Sequence, residues 1–269
     1  MQSENPKSIL FITGAFVSNE SWNDWRDFYE SKGFKTVAPP WPHKNGTAEA
    51  LRQRHPDPKV ASIRLQHLID YYAEIAASFS QKPIIIGHSL GGLIAQILNQ
   101  RGLAAATVAI HSVPPQGIMS FKFSFLKAGW GPLGFFTSTK KTFLMNFPQW
   151  QYAFTNGLSF ELQKKGYEDL AIPESKLVVR DTITSVAKVD FSKSHNPLLL
   201  IAGDNDHTIP YQLNHDNFKK YKNKSSVTDY KLFSGRNHFV LGQPGWQEIA
   251  IYILEWLEKS KESRVKSKE

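Results

Sequence analysis

Between Pro83 and Arg101 the chain runs from three consecutive isoleucines, Ile84-Ile85-Ile86, through Gly87-His88-Ser89-Leu90-Gly91-Gly92 and into a stretch with apolar residues at helical spacing. A β-branched run without polar alternation reads as a strand buried on both faces, the kind a parallel sheet covered by helices requires. The glycines around Ser89 mark a sharp turn in which backbone segments pack without Cβ atoms between them. Strand, turn and helix in immediate succession set the frame for the rest of the chain.

The same alternation recurs elsewhere. Short apolar runs predict further strands at Ser8 to Thr13, Lys35 to Ala38, Ala106 to Ser112, Leu198 to Ala202 and Val227 to Phe233. Amphipathic stretches predict helices near Trp22 to Lys32, Ile63 to Ser80, Leu90 to Arg101, Tyr211 to Tyr221 and Trp246 to Lys259. The pattern is that of an α/β fold, a mostly parallel central sheet flanked by helices. From Gln116 to about Asp190 the alternation stops, and Phe121, Phe123, Phe125, Trp130, Phe135, Phe136, Phe143, Phe147 and Trp150 crowd together. Residues 116–190 are therefore expected to form a lid inserted into a single domain spanning 1–269, since no repeat or flexible linker divides the chain.

Composition removes several alternatives. Apolar residues make up 41% and charged residues 21% of 269, which is ordinary for a folded globular chain. With no cysteine, disulfides, thiolate metal sites and cysteine nucleophiles are excluded. The start, Met1 to Ser8, carries no secretory leader pattern, and the runs Pro197 to Ala202 and Ile249 to Leu257 are too short to span a bilayer. The expected location is the cytoplasm. The net charge of +8 prompts a search for a nucleic-acid surface, but Lys259, Lys261, Arg264, Lys266 and Lys268 form only a loose terminal run broken by Glu262 and Glu269. No nucleic-acid partner and no membrane span are expected.

Chemistry concentrates in three places. Ser89, lifted on its turn above the sheet edge, is a candidate nucleophile, and the N–H of Leu90 at the start of the helix could hold a developing oxyanion. An N-terminal cap of the same helix is the competing use of a serine there. A serine hydroxyl needs a base to take its proton and an acid to orient that base. His238, in the turn Gly235-Arg236-Asn237-His238 after the last predicted strand, fits the base. Two acids, Asp204 and Asp206, follow the strand ending at Gly203, and either could orient it, the other serving the turn. Gly14 lets the backbone after the first strand approach closely, which makes the Ala15 N–H the candidate second oxyanion donor. His88 reads as packing within the turn, while His111, His195, His207 and His215 show no metal-ligand spacing. No metal or other cofactor is expected.

Gly87 to Gly92, the Gly203 to Asp206 turn and the Gly235 to His238 turn resemble, in order and position, the serine-nucleophile esterase and lipase branch of the α/β-hydrolase superfamily. The resemblance implies an α/β-hydrolase fold over nearly the whole chain and favours Asp206, three residues beyond the strand-ending glycine, as the acid. Thr13-Gly14-Ala15-Phe16 with Trp22 is similar to the His-Gly-Ala segment and later Trp of plant esterases and hydroxynitrile lyases, with Thr13 in place of the histidine. Relatives resembling dehalogenases and epoxide hydrolases carry Asp where this chain has Ser89.

The expectation is a carboxylic ester hydrolase acting through an acyl-enzyme, with Ser89, His238 and Asp206 as catalytic residues and Ala15 and Leu90 as oxyanion donors. The aromatic insert points to a small-molecule ester with an apolar acyl or alcohol group, or to nothing more than an insert core. A lyase or carbon–carbon bond hydrolase using the same three residues, and a non-catalytic ligand-binding member of the fold, are the alternatives.

Overall fold

The computed structural model describes residues 8–119, 122–134 and 136–266, with side chains described to residue 260. The polar start through Lys7, Phe121, Phe135 and the terminal side chains from Lys261 to Lys268 lie outside the described residues.

Six strands form one sheet in the order β2-β1-β3-β4-β5-β6, comprising β1 (Ser8–Ile12), β2 (Lys35–Val37), β3 (Ile84–His88), β4 (Ala106–Ile110), β5 (Leu198–Gly203) and β6 (Thr228–Phe233). Every pairing is parallel. The expected strands are present to within a residue or two at each end. All five residues of β3 are buried, because the sheet is covered on both sides. Ile9, Phe11, Ile84 and Ile86 pack with Trp22, Trp25, Tyr29, Ile249 and Ile253, so α1 (Asn23–Ser31) and α11 (Trp246–Lys266) cover one face. Leu10, Ile12 and Ile85 pack with Leu65, Leu68, Leu93 and Ile94, which puts α4 (Leu65–Ala77) and α5 (Leu90–Gln100) on the other. The period-two alternation of Cβ directions thus divides each apolar run between two cores.

Outside 116–190, two helices arise where none was expected, α2 (Ala48–Gln53) and α3 (Pro58–Ala61). Both are too short to show helical periodicity, yet each has a start signal. Thr47 caps α2 by accepting the Ala50 N–H, and Asp57 caps α3 ahead of Pro58. The 116–190 segment contributes α6 (Phe123–Leu133), α7 (Phe147–Ala153), α8 (Phe160–Leu170) and α9 (Lys176–Asp181), and among its described residues no strand of the sheet. Single bridges, Val17 with Ala171 and Phe143 with Glu174, tie it to the loop after β1 and to itself. After β5 the chain forms α10 (Tyr211–Lys220), whose Phe218 and neighbouring Tyr221 pack on Leu198 and Leu200. Among the described residues no helix is long and apolar enough to cross a membrane.

The strands run parallel, so their carboxyl ends share one edge. Ile12, His88, Ile110, Gly203 and Phe233 end there, and each is followed by a segment bearing one of the candidate residues or their neighbours.

Candidate active site

Ser89 follows β3 directly and has φ 55° and ψ −119°, a conformation sparsely populated for residues with a Cβ and costing on the order of 1–3 kcal/mol. The fold holds it by close backbone approach. A Cβ at Gly87 would fall 2.1 Å from the Gly91 carbonyl oxygen, and one at Gly91 would fall 2.0 Å from the Ile12 carbonyl oxygen. The Ser89 side chain makes no capping bond to α5. Its Oγ lies instead 3.0 Å from His238 Nε2, so Ser89 does not serve as an ordinary helix cap.

His238 is fully buried, and its Nδ1 lies 2.7 Å from Asp206 Oδ2. The other oxygen of Asp206 accepts the N–H groups of Thr208 at 2.8 Å and Ile209 at 2.7 Å, so the turn after β5 fixes the carboxylate plane. Burial alone would raise the Asp206 pKa. The opposing charge of His238 and the hydrogen bonds from His111 and His238 outweigh it and hold the carboxyl well below the usual carboxylate range. Asp204 serves the turn, accepting the Ser234 hydroxyl at 2.9 Å and the Gly235 N–H at 2.6 Å, and so joins the β5 and β6 turns.

The loop after β1 abuts the nucleophile. A Cβ at Gly14 would fall 2.7 Å from Ser89 Cβ, which brings Ala15 beside the turn. Phe16 follows with φ 68°, and its N–H donates to Glu174 Oε2 at 3.1 Å. Glu174 is fully buried and also pairs with Lys44 Nζ, while Trp41 Nε1 donates to the Thr13 carbonyl at 3.2 Å. Burial lowers the Lys44 pKa and Glu174 opposes that shift. Trp22, expected to open a helix, precedes α1 and stacks on Phe11 at 4.6 Å between ring centroids. Leu90 is the first residue of α5, where N–H groups point out of the helix and the dipole favours negative charge.

Four further residues belong to this site. His111 follows β4 with φ 46° and directs Nδ1 to Asp206 Oδ2 at 2.8 Å. His88 places Nε2 3.0 Å from the His238 carbonyl oxygen, so it holds the backbone of that loop rather than merely packing. Burial drives the His88 pKa well below its ordinary value, with His238 and His111 adding to the effect. Glu174 and Lys44 complete the set. A residue directly after a strand at the carboxyl edge was a readable signal for His111, whereas nothing local announces a pair separated by 130 positions.

His111, Asp206 and His238 form, among the described residues, the one cluster of metal-ligand type, with ligand atoms within 4.8 Å of one another. Their N···O separations are those of hydrogen bonds to a carboxylate, and both nitrogens converge on one oxygen rather than on a point between three donors.

The alpha/beta hydrolase family model matches residues 9–247. No curated protein sequence matches the chain. Among solved structures it is similar to a monoacylglycerol lipase of Paleococcus ferrophilus, at 18% identity over 94% of each chain with a TM-score of 0.65. It is also similar to the methylesterase MES16 of Arabidopsis, at 12% identity over 93% of this chain and 98% of that one, with a TM-score of 0.64. Tomato methylketone synthase I, solved with 2-tridecanone, aligns at 16% identity over 95% and 99% of the two chains with a TM-score of 0.69. At these identities the structures speak for the fold, and the family match spans nearly the whole sheet. The chain belongs to the alpha/beta hydrolase family.

Proposed function

We propose that the protein is a serine hydrolase of carboxylic esters, with Ser89, His238 and Asp206 as its catalytic triad. One observation carries this reading: His238 reaches Ser89 Oγ at 3.0 Å through Nε2 and Asp206 at 2.7 Å through Nδ1. Asp206 fixes the tautomer that leaves Nε2 free to accept the serine proton. Ser89 Oγ then attacks the ester carbonyl carbon, and the N–H groups of Ala15 and Leu90 hold the resulting oxyanion. His238 returns the proton to the leaving alcohol as the ester C–O bond breaks. Water, deprotonated by His238, attacks the acyl-enzyme and releases the acid, restoring Ser89.

Residues 116–190 act in this reading as a lid over the site. Phe154 sets its ring edge against His238 at 4.9 Å, Thr208 donates to the Ala153 carbonyl, and Ser89 is only 5% exposed. Beside Ala153 lies a cavity of ≈ 710 Å³ lined by Phe123, Leu126, Trp130, Phe143, Met145 and Tyr152. No triad residue lines it, and Lys127, Asn146 and Gln149 share the lining; we take an apolar acyl or alcohol group for the substrate from the aromatic side chains that the 116–190 segment places beside Ala153. The steps draw on protein groups and water alone.

The test is turnover of short and medium p-nitrophenyl esters by wild type and by Ser89→Ala. Turnover lost in a folded Ser89→Ala variant is the expected result, and turnover retained contradicts the assignment.

A further inference from the structure

Asp206 Oδ2 receives two imidazoles, His238 Nδ1 at 2.7 Å and His111 Nδ1 at 2.8 Å. A carboxylate oxygen divided between two donors is a weaker acceptor for each than one serving a single partner. Geometry fixes the tautomer of His111. Its Nδ1 faces the carboxylate and must carry the proton, because a bare nitrogen there would set lone pair against lone pair. Its ring is fully buried against Gly203, where a Cβ would fall 2.6 Å from Cε1, so it has no room to turn away.

The charged and titratable groups facing His111 are Asp206, His238, His88 with its ring centroid 6.3 Å away, and Arg236. The Arg236 guanidinium is committed elsewhere, to the carbonyls of Pro244 and Gly245 and to Glu248. Burial lowers the His111 pKa, and the hydrogen bond to Asp206 opposes the shift without cancelling it. Near neutral pH His111 is therefore uncharged and contributes one N–H rather than a second cation.

We propose that His111 is a positioning residue that competes with His238 for Asp206 Oδ2 and thereby sets the pH range over which His238 can accept the Ser89 proton. The role rests on the triad reading above. His111 touches neither Ser89 nor the substrate in it. It acts by sharing the carboxylate, so a variant without the N–H leaves Asp206 wholly to His238, which then holds its proton to higher pH.

His111→Asn and His111→Leu separate this role from packing. The side-chain amide of Asn places Nδ2 where the imidazole has Nδ1, and Asn tolerates the positive φ better than most residues. Leu fills the space without a donor. Two readouts are compared with wild type, the acid limb of the kcat/KM profile on a p-nitrophenyl ester and the ring-nitrogen NMR titration of His238. His111→Asn is expected to follow wild type in both, while His111→Leu moves both to higher pH by about half to one unit. No movement in His111→Leu, or an equal movement in His111→Asn, overturns the proposal. If His111→Leu does not fold, the wild-type protein decides: the His111 Nδ1–H resonance must shift as His238 titrates, and an unresponsive resonance overturns the role. The NMR arm needs no turnover, so a failure of the ester assignment is distinguishable from a failure of this one.

Discussion

Glu174 Oε2 accepts the Phe16 N–H at 3.1 Å across 158 residues of sequence, and the same oxygen pairs with Lys44. The 116–190 segment is thereby bonded to the loop that carries Ala15, and the Ile172 N–H donating to the Phe16 carbonyl at 3.0 Å closes a second link beside it. The loop next to Ser89 takes its shape from an ion pair that neither the loop nor the nucleophile turn contains.

Breaking that pair strands a charge. Lys44 is 4% exposed, so Glu174→Gln keeps an acceptor for Phe16 but leaves a buried ammonium without its counter-ion. The expected loss is about 3–5 kcal/mol in urea unfolding. Adding Lys44→Met to Glu174→Gln removes the orphaned charge and is expected to recover most of that loss. A double variant no more stable than the single one contradicts the electrostatic account.

The two acids after β5 are expected to separate cleanly. Asp206→Asn keeps the shape of the side chain but no longer holds the same His238 tautomer, and kcat/KM is expected to fall by about 10⁴-fold. Asp204→Ala removes the acceptor for Ser234 and Gly235, and costs about 1–3 kcal/mol of stability with kcat changed only a few-fold. Steady-state kinetics with denaturation curves on both variants measures this. Comparable kinetic losses contradict the assignment of Asp206 as the acid.

The Gly14 backbone passes so close to Ser89 that one methyl group separates two outcomes. In Gly14→Ala the new Cβ would press on Ser89 Cβ at 2.7 Å and on the His88 carbonyl oxygen at 3.0 Å, displacing the loop that offers the Ala15 N–H. The expected result is a fall in kcat of about 100-fold, the scale of losing one oxyanion donor. Unchanged kcat in a folded Gly14→Ala variant removes Ala15 from the mechanism.

Buried neutral histidines make stability depend on pH. The pKa values of His88 and His111 are depressed in the folded protein, so below about pH 6.5 the unfolded chain binds the extra protons. Their contribution is complete above that pH and drains as pH falls, by at most about 1.4 kcal/mol per pH unit for each group. Asp206 adds a loss of the same sign at lower pH, below about 4, where the unfolded carboxyl protonates first. Urea midpoints are expected to fall between pH 7 and pH 5 in wild type, and by less in His111→Asn. Equal slopes contradict the account for His111.

The sheet was legible because the runs at Ile9 to Ile12, Ile84 to Ile86 and Leu198 to Ile201 are buried on both faces and show no alternation to confuse the assignment. Ser89, Asp206 and His238 could be singled out as candidates for a related reason, since each stands in a turn after a strand at one sheet edge. His111 stands there too, marked by its place directly after β4 alone, without a glycine turn to single it out. Thr47 and Asp57 were readable caps whose helices were too short to register as periodic. The Lys44–Glu174 pair had no signal at all, because only the packing of α2, α8 and the β1 loop brings those positions together. In 116–190, α7 and α9 are too short to register as periodic, and α6 carries Gly129, Gly131 and Pro132, residues that read as helix breakers.

The central claim is that Ser89 is an activated nucleophile, and the most direct measurement is reaction with a fluorophosphonate followed by peptide mass spectrometry. One phosphonyl adduct on Ser89 is predicted, formed in wild type and His111→Asn, slowed severely in His238→Ala and absent in Ser89→Ala. An unlabelled wild-type protein, or an adduct at another residue that persists in Ser89→Ala, contradicts it.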